Sequence, residues 1–247
     1  MQSSIERSLR AIEAIAELQP IGVGELARKL DVPKSTMQRT LQTLASAGWI
    51  KDDGGAYKRW KLTSRALKVG RQASADESDL RTVAFEHMQA LRDATNETIT
   101  LQVRDGQDRM VQIERVDSFH AVRTFWKLGA SSPITATSGG FAVLAALPDH
   151  EVEAILKRPV ERLTPKTITD VEEIRREIAA VRERGFAVNI GQNREGVCAI
   201  GAAIVDSSGE PVGGIGISIP ESRFDPRRIN ELGALVRSTA STISSLM

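Results

Sequence analysis

The sequence predicts an α+β chain of two domains: a winged helix-turn-helix at the amino end, a linker with a helix, and an antiparallel sheet with helices on one side. Three observations predict this. Apolar residues recur at helical spacing up to about Ala47, they alternate with a period of two from Glu97 onward, and charge is segregated along the chain. Through Gly70 there are 12 Lys and Arg against seven Asp and Glu, about +5, which leaves about −4 on residues 71–247 although the whole chain carries only +1. A length of 247 residues suits one small and one medium domain, and 41% hydrophobic with 26% charged residues excludes a disordered or disulfide-stapled chain.

In the head, Ile5, Leu9, Ile12, Ile15 and Leu18 form one apolar stripe, so a first helix runs to about Leu18 and stops before Pro20. A shorter helix follows at 24–30. Pro33 disfavours helical geometry in Val32 and fits the first turn of a third helix, so Asp31, Val32 and Pro33 make the turn between helices two and three. On the third helix Met37, Leu41 and Leu44 share a stripe, while Lys34, Ser35, Thr36, Gln38, Arg39 and Gln42 lie largely off it. That side is rich in donors and free of acids. Lys, Ser and Thr suit phosphate, and Gln or Arg suits base edges in a major groove that admits a helix. Next come short strands at 49–50 and 57–62 around the turn signal Asp53, Gly54, Gly55, forming a wing loaded by Lys51, Lys58, Arg59 and Lys61. The expected DNA contacts are Lys34, Ser35, Thr36, Gln38, Arg39, Arg59 and Lys61, with Gln38 and Arg39 as base readers. The alternative for such a module is protein interaction.

Catalysis and metal binding have little to build on. Cys198 is the single cysteine and the three histidines are scattered, so no disulfide or metal-ligand spacing exists and a reducing cytoplasm is the expected compartment. No nucleophile elbow or Walker loop occurs, and the glycines at 213, 214 and 216 sit inside an alternating strand instead of opening a helix. An enzyme of this architecture is the remote alternative, and no cofactor is expected. The longest apolar stretch, around 197–205, falls short of the ~18–20 residues of a membrane span, so no membrane partner is expected either.

The domain boundaries read as 1–70 for the head, 71–95 for a polar linker (71–79) with its helix from Leu80, and 96–247 for the body. Strands are expected at 97–103, 110–116 and 121–128; helices at 138–146, 149–157 and 170–184; strands at 186–190, 198–205 and 212–219; and a last helix from Pro226.

This order resembles the IclR family of bacterial transcription regulators over essentially the whole chain. The resemblance is carried in the head by residues 5–12, Glu25 to Ala27, and Pro33 to Thr36 with Arg39. In the body it is carried by Gly129, Pro133, Ala136, Thr137, Gly140, residues 142–145, residues 184–187, Gly196, Val197, Ile200, Asp206, Ile217, Ser218 and Pro220. It implies a repressor or activator of a catabolic operon that binds a double-stranded DNA operator as a homodimer, commonly a dimer of dimers. It also implies a GAF-like carboxy-terminal domain that binds a small organic acid and, by moving the heads through the linker helix, changes operator affinity.

By position, the effector contacts implied are Ser138, Gly139, Asn189, Ala199, Gly216 and Ser218. The first amides of a helix opening at Ser138 lack intrahelical acceptors and small residues let a carboxylate approach, although Gly139 and Gly140 equally suit plain helix–sheet packing. This chain departs from the family with Ala199 where a cysteine is frequent, Asn189 where an acid occurs, Gly216 where a serine occurs and Phe141 where a lysine is frequent. A roomier, less negative pocket is the expectation. Strand alternation turns Cys198 to the opposite face, into the core or an interface. Phe119, Phe125 and Trp126 concentrate aromatic rings in one segment, and Phe125 or Trp126 in the pocket wall would favour an aromatic or longer-chain acid; ordinary strand core or a dimer contact is the other reading.

Overall fold

The structure is a computed structural model that describes residues 3–55, 57–73 and 75–247, the side chains of 71–79 excepted. The chain divides into two compact units, Met1–Ala75 and Asp76–Met247.

In the first unit, Ser3 caps helix α1 (Ser4–Leu18) by accepting from the Glu6 amide at 3.1 Å. A two-residue strand β1 (Ile21–Gly22), unread in the sequence, precedes α2 (Val23–Lys29) and α3 (Lys34–Ser46). The turn between the helices closes through the Val32 amide, which donates to Ala27 O at 3.0 Å, with Asp31 at φ +52°. Met37, Leu41 and Leu44 pack against Ala11, Ile15, Leu26 and Ala27 in a buried cluster, each large side chain contributing about 1.5–3 kcal/mol. Strands β2 (Ile50–Asp52) and β3 (Arg59–Leu62) form the wing and start later than expected, leaving Trp49, Tyr57 and Lys58 outside them. The sheet order is β1-β3-β2. Helix α4 (Ser64–Ala73) ends the unit.

The second unit opens with α5 (Ala75–Thr95), so the helix begins inside the stretch read as a polar linker. Ser74 and the side chains of that stretch lie outside the described residues. Leu80, Ala84, Met88 and Leu91 are the buried stripe, and Phe85 falls off it. The sheet is wholly antiparallel, in the order β6-β5-β4-β9-β8-β7. Its strands are β4 (Thr98–Asp105), β5 (Arg109–Val116), β6 (Ser131–Pro133), β7 (Ala187–Ile190), β8 (Val197–Val205) and β9 (Pro211–Pro220). Helices α6 (Ser138–Ala146), α7 (Asp149–Leu156) and α8 (Val171–Arg184) lie between β6 and β7, and α9 (Ile229–Ser244) ends the chain.

Two expectations are corrected. Helices cover both faces of the sheet, not one. Ile99, Leu101, Ile200, Ala202, Ile215 and Ile217 pack against α5 and α9, while the opposite face carries α6, with α7 and α8 outside it. Burial on both sides is why β8 and β9 read as near-continuous apolar runs. Secondly, residues 121–128 are not a strand. Their carbonyls are taken by side chains instead of a neighbouring strand: Arg223 donates to Val122 O at 3.1 Å, Thr98 to Thr124 O at 3.4 Å, Arg194 to Phe125 O at 3.2 Å, and Arg115 to Trp126 O. The third strand is the short edge β6, paired with β5 from Arg109 to Val111.

Candidate functional site

In the head, burial of Met37, Thr40, Leu41 and Leu44 turns Lys34, Ser35, Gln38 and Arg39 outward, with Thr36 half-buried beside them. Pro33 precedes the helix and provides no side-chain cap, so the first amides of α3 stay open beside Lys34 and Ser35. Among the described residues, neither Lys34 nor Arg39 has a carboxylate within 4 Å. Arg59 differs. Its Nε donates to Pro20 O at 2.9 Å and its Nη2 lies 4.0 Å from Glu25, which ties the wing to β1 and α2. Lys61 is half-buried, paired across from Lys51. Lys51 and Lys58 are exposed wing cations like Arg59 but without a carboxylate within 4 Å among the described residues, Lys58 with its ammonium 4.8 Å from the Trp60 ring. Arg7 and Arg10 of α1 border a groove with Pro33 and Thr36 that the sequence pattern had not singled out.

In the body, a cavity forms where the amino end of α6 meets the sheet. Ser138 and Thr137 come from that helix start, Thr100 and Gln102 from β4, Gln112 from β5, Val197 and Ala199 from β8, and Ser218 from β9. Asn189, Asn193 and Trp126 complete the wall. Register explains the grouping: Thr100 lies opposite Gly216, Gln102 opposite Gln112, and Ala199 opposite both Ser218 and Asn189.

Of the expected contacts, Ser138, Asn189, Ala199, Ser218 and Trp126 line the cavity; Gly139, Gly216 and Phe125 do not. The glycines serve close packing. A Cβ on Gly139 would meet Gln102 Oε1 at 2.9 Å, one on Gly201 would meet the Gly139 amide at 2.8 Å, and one on Gly214 would meet Gly139 Cα at 2.8 Å. Above Gly216 the space is filled by Thr100 Oγ1 and Ser138 Oγ, 3.2 and 3.4 Å from where a Cβ would stand. Here α6 settles onto the sheet beside Gly216, and the water-accessible volume of the cavity is about 30 Å³. That is space for one or two waters.

Asn189 is already engaged at both ends, donating to Ala136 O at 2.6 Å and accepting from the Gln192 amide at 3.1 Å. Gln192 Oε1 is a buried acceptor without a partner among the described residues. Phe125 stacks under Arg115 at 4.0 Å, and Arg194 sits 5.0 Å from the Trp126 ring centre. Cys198 is fully buried and outside the cavity, and burial pushes its thiol up to about 11. No group of three metal-ligating side chains occurs among the described residues. No helix there is long and apolar enough to cross a membrane.

Residues 72–245 match the family described as bacterial transcriptional regulator IclR C-terminal, and residues 4–54 match the IclR helix-turn-helix domain. The chain belongs to the IclR family. Over 246 residues it is 30% identical to the HTH-type transcriptional regulator KdgR of Escherichia coli, covering 99% of this chain and 92% of that one. The crystal structure of a transcriptional regulator from Rhodococcus sp. RHA1 shares 30% identity and a TM-score of 0.78 over 100% of this chain and 98% of that one. An IclR homologue from Microbacterium hydrocarbonoxydans complexed with 4-hydroxybenzoate shares the fold, with 22% identity and a TM-score of 0.80 over 99% and 98% of the two chains.

The chain is thus an IclR-family transcriptional regulator, with a DNA-binding helix-turn-helix head and an IclR C-terminal body; its relatives are named for regulation, not catalysis. Within this IclR-family body, sequence reasoning missed Thr100, Gln102, Gln112, Thr137, Asn193 and Val197. For Thr100 and Gln102 the available signal was the polar side chains at every second position of β4, these two lying opposite Gly216 and Gly214 of β9.

Proposed function

We propose that this regulator controls a catabolic operon from the cytoplasm as a homodimer, reading the operator with Lys34, Ser35, Thr36, Gln38 and Arg39 of α3. A small organic acid bound in the body cavity changes its affinity for that operator. One observation carries the sensing half. The hydroxyls of Ser138 and Ser218, in residues only 5% and 3% exposed, line the cavity and make no side-chain hydrogen bond within the described chain. Beside them the Ser138 and Gly139 amides open α6 without intrahelical acceptors, whereas the Gly140 amide is already satisfied by Thr137 Oγ1 at 2.9 Å. Two buried hydroxyls and the Ser138 amide at the positive end of a helix are a seat for one carboxylate.

The test is a thermal-shift screen of small acids on the full chain, followed by fluorescence anisotropy on DNA from upstream of its gene. A ligand of the folded state raises Tm by mass action, and the same acid shifts operator affinity. Ser218→Ala should abolish both responses while leaving ligand-free DNA binding intact. Retention of both responses in Ser218→Ala, or no specific binding to upstream DNA, would count against the reading.

A further inference from the structure

The cavity lining has a chemical character beyond its carboxylate seat. No charged side chain lines it among the described residues. The wall facing Ser138 and Ser218 is instead built of neutral hydrogen-bonding groups: Thr100, Gln102, Gln112 and Asn193. Gln102 and Asn193 make no side-chain hydrogen bond within the described chain, and the Gln112 amide has only a long contact of 3.4 Å to Trp126 O. The two nearby guanidiniums, Arg115 and Arg194, are occupied with the Phe125 and Trp126 backbone and rings.

We infer that the ligand of this cavity is a hydroxyl-rich monocarboxylate of the aldonic acid kind, selected by the Gln102, Gln112 and Asn193 amides. The inference rests on the sensing role proposed above. One helix start and two hydroxyls supply one anion seat, and nothing charged in the lining answers a second carboxylate. An aromatic ring or alkyl chain lying across Gln102 and Gln112 would strip their amides of water and offer no partner in return. Sites that hydrogen-bond a hydroxyl reject analogues lacking it by large factors for that reason. Trp126 is the aromatic residue of the lining among the described residues, and its half-buried ring offers a face to an apolar edge of a sugar acid. With a water-accessible volume of about 30 Å³, the lining must shift to admit such an acid.

The experiment is isothermal titration of the full chain with D-gluconate, D-galactonate, D-glycerate, 4-hydroxybenzoate and adipate, on wild type and on Gln102→Leu and Gln112→Leu. At least one hydroxy acid should bind about 100-fold or more tightly than 4-hydroxybenzoate and adipate. Either leucine variant should weaken that hydroxy acid about tenfold and leave 4-hydroxybenzoate unweakened. Gln112 is buried, so ligand-free melting is checked for each variant; if Gln112→Leu unfolds, the half-buried Gln102 carries the comparison. Binding of 4-hydroxybenzoate or adipate through Ser218, with no hydroxy acid bound, overturns the ligand class and leaves the sensing role standing. No heat from any of the five acids, together with no acid responding in the thermal screen, overturns both.

Discussion

Arg115 donates from Nη1 to the backbone carbonyl of Trp126, and its guanidinium also stacks over Phe125 at 4.0 Å. The same residue pairs with Asp117, and its own amide donates to Glu114 Oε1, whose other oxygen accepts from Arg81 of α5 at 2.5 Å. Neighbouring residues of one strand thus hold the Trp126 segment of the cavity wall on one face of the sheet and α5 on the other, as strand alternation requires. Arg115→Gln should release the segment around Trp126 without unfolding the sheet, because the bonds lost are at the loop. Hydrogen exchange should accelerate at residues 119–128 and stay unchanged in β4 and β9. Uniform acceleration across the body would show that Arg115 supports the whole sheet instead.

Glycine positions at the α6 seat differ in what a methyl group would meet. At Gly140 a Cβ would stand 2.0 Å from Ile134 O, and at Gly216 the closest atom is Thr100 Oγ1 at 3.2 Å. Gly140→Ala must shift backbone and should cost about 1–3 kcal/mol or more. Gly216→Ala needs only a few tenths of an ångström and should cost less than about 1.5 kcal/mol. Urea unfolding midpoints at constant m-value decide it, and equal losses would contradict the packing explanation for these glycines.

Legibility followed how local each determinant is. Helix α6 is readable because its cap Thr137, its small apolar run and the trailing Pro148 are contiguous. Edge strand β6 is not: Ser131 to Pro133 carries no alternation, and its pairing with β5 is fixed across a long loop. Residues 121–128 mimic a strand in apolar content, yet their carbonyls belong to Arg115, Arg194 and Arg223, far apart in sequence. For the cavity, Ser138, Asn189, Ala199 and Ser218 came from family resemblance, whereas Gln102 and Gln112 depend on the β4–β5 register and its irregularity after Leu101. A one-residue slip would turn them away.

Cys198 should be chemically silent in the native state. Burial raises its thiol to about 11, against about 8.5 for a free thiol, so it stays protonated and unreactive at pH 8. Between these values the unfolded chain releases a proton that the folded chain keeps, so this thiol's contribution to stability is level below about pH 8.5 and declines as pH rises toward 11. Iodoacetamide labelling at pH 8 should proceed only on unfolding, and Cys198→Ala should flatten the alkaline decline. Rapid labelling of folded protein would place the thiol in contact with solvent.

The head offers a three-way comparison. Gln38 is exposed on α3 with a neutral amide able to bond a base edge, Lys34 is an exposed cation beside the open first turn, and Arg59 is held by Pro20 O and Glu25. Gln38→Ala should cost about 1–3 kcal/mol on the specific operator and almost nothing on a scrambled duplex. Lys34→Ala should weaken both duplexes alike and lower the salt slope by about one. Arg59→Ala should leave the salt slope unchanged and instead loosen the wing, read as lower head stability and faster exchange at Trp60 and Leu62. Anisotropy titrations from about 50 to 200 mM salt separate the three. A lowered salt slope in Arg59→Ala would return that residue to the phosphate contacts that its place in the wing first suggested, and equal losses of Gln38→Ala on both duplexes would remove its base-reading role.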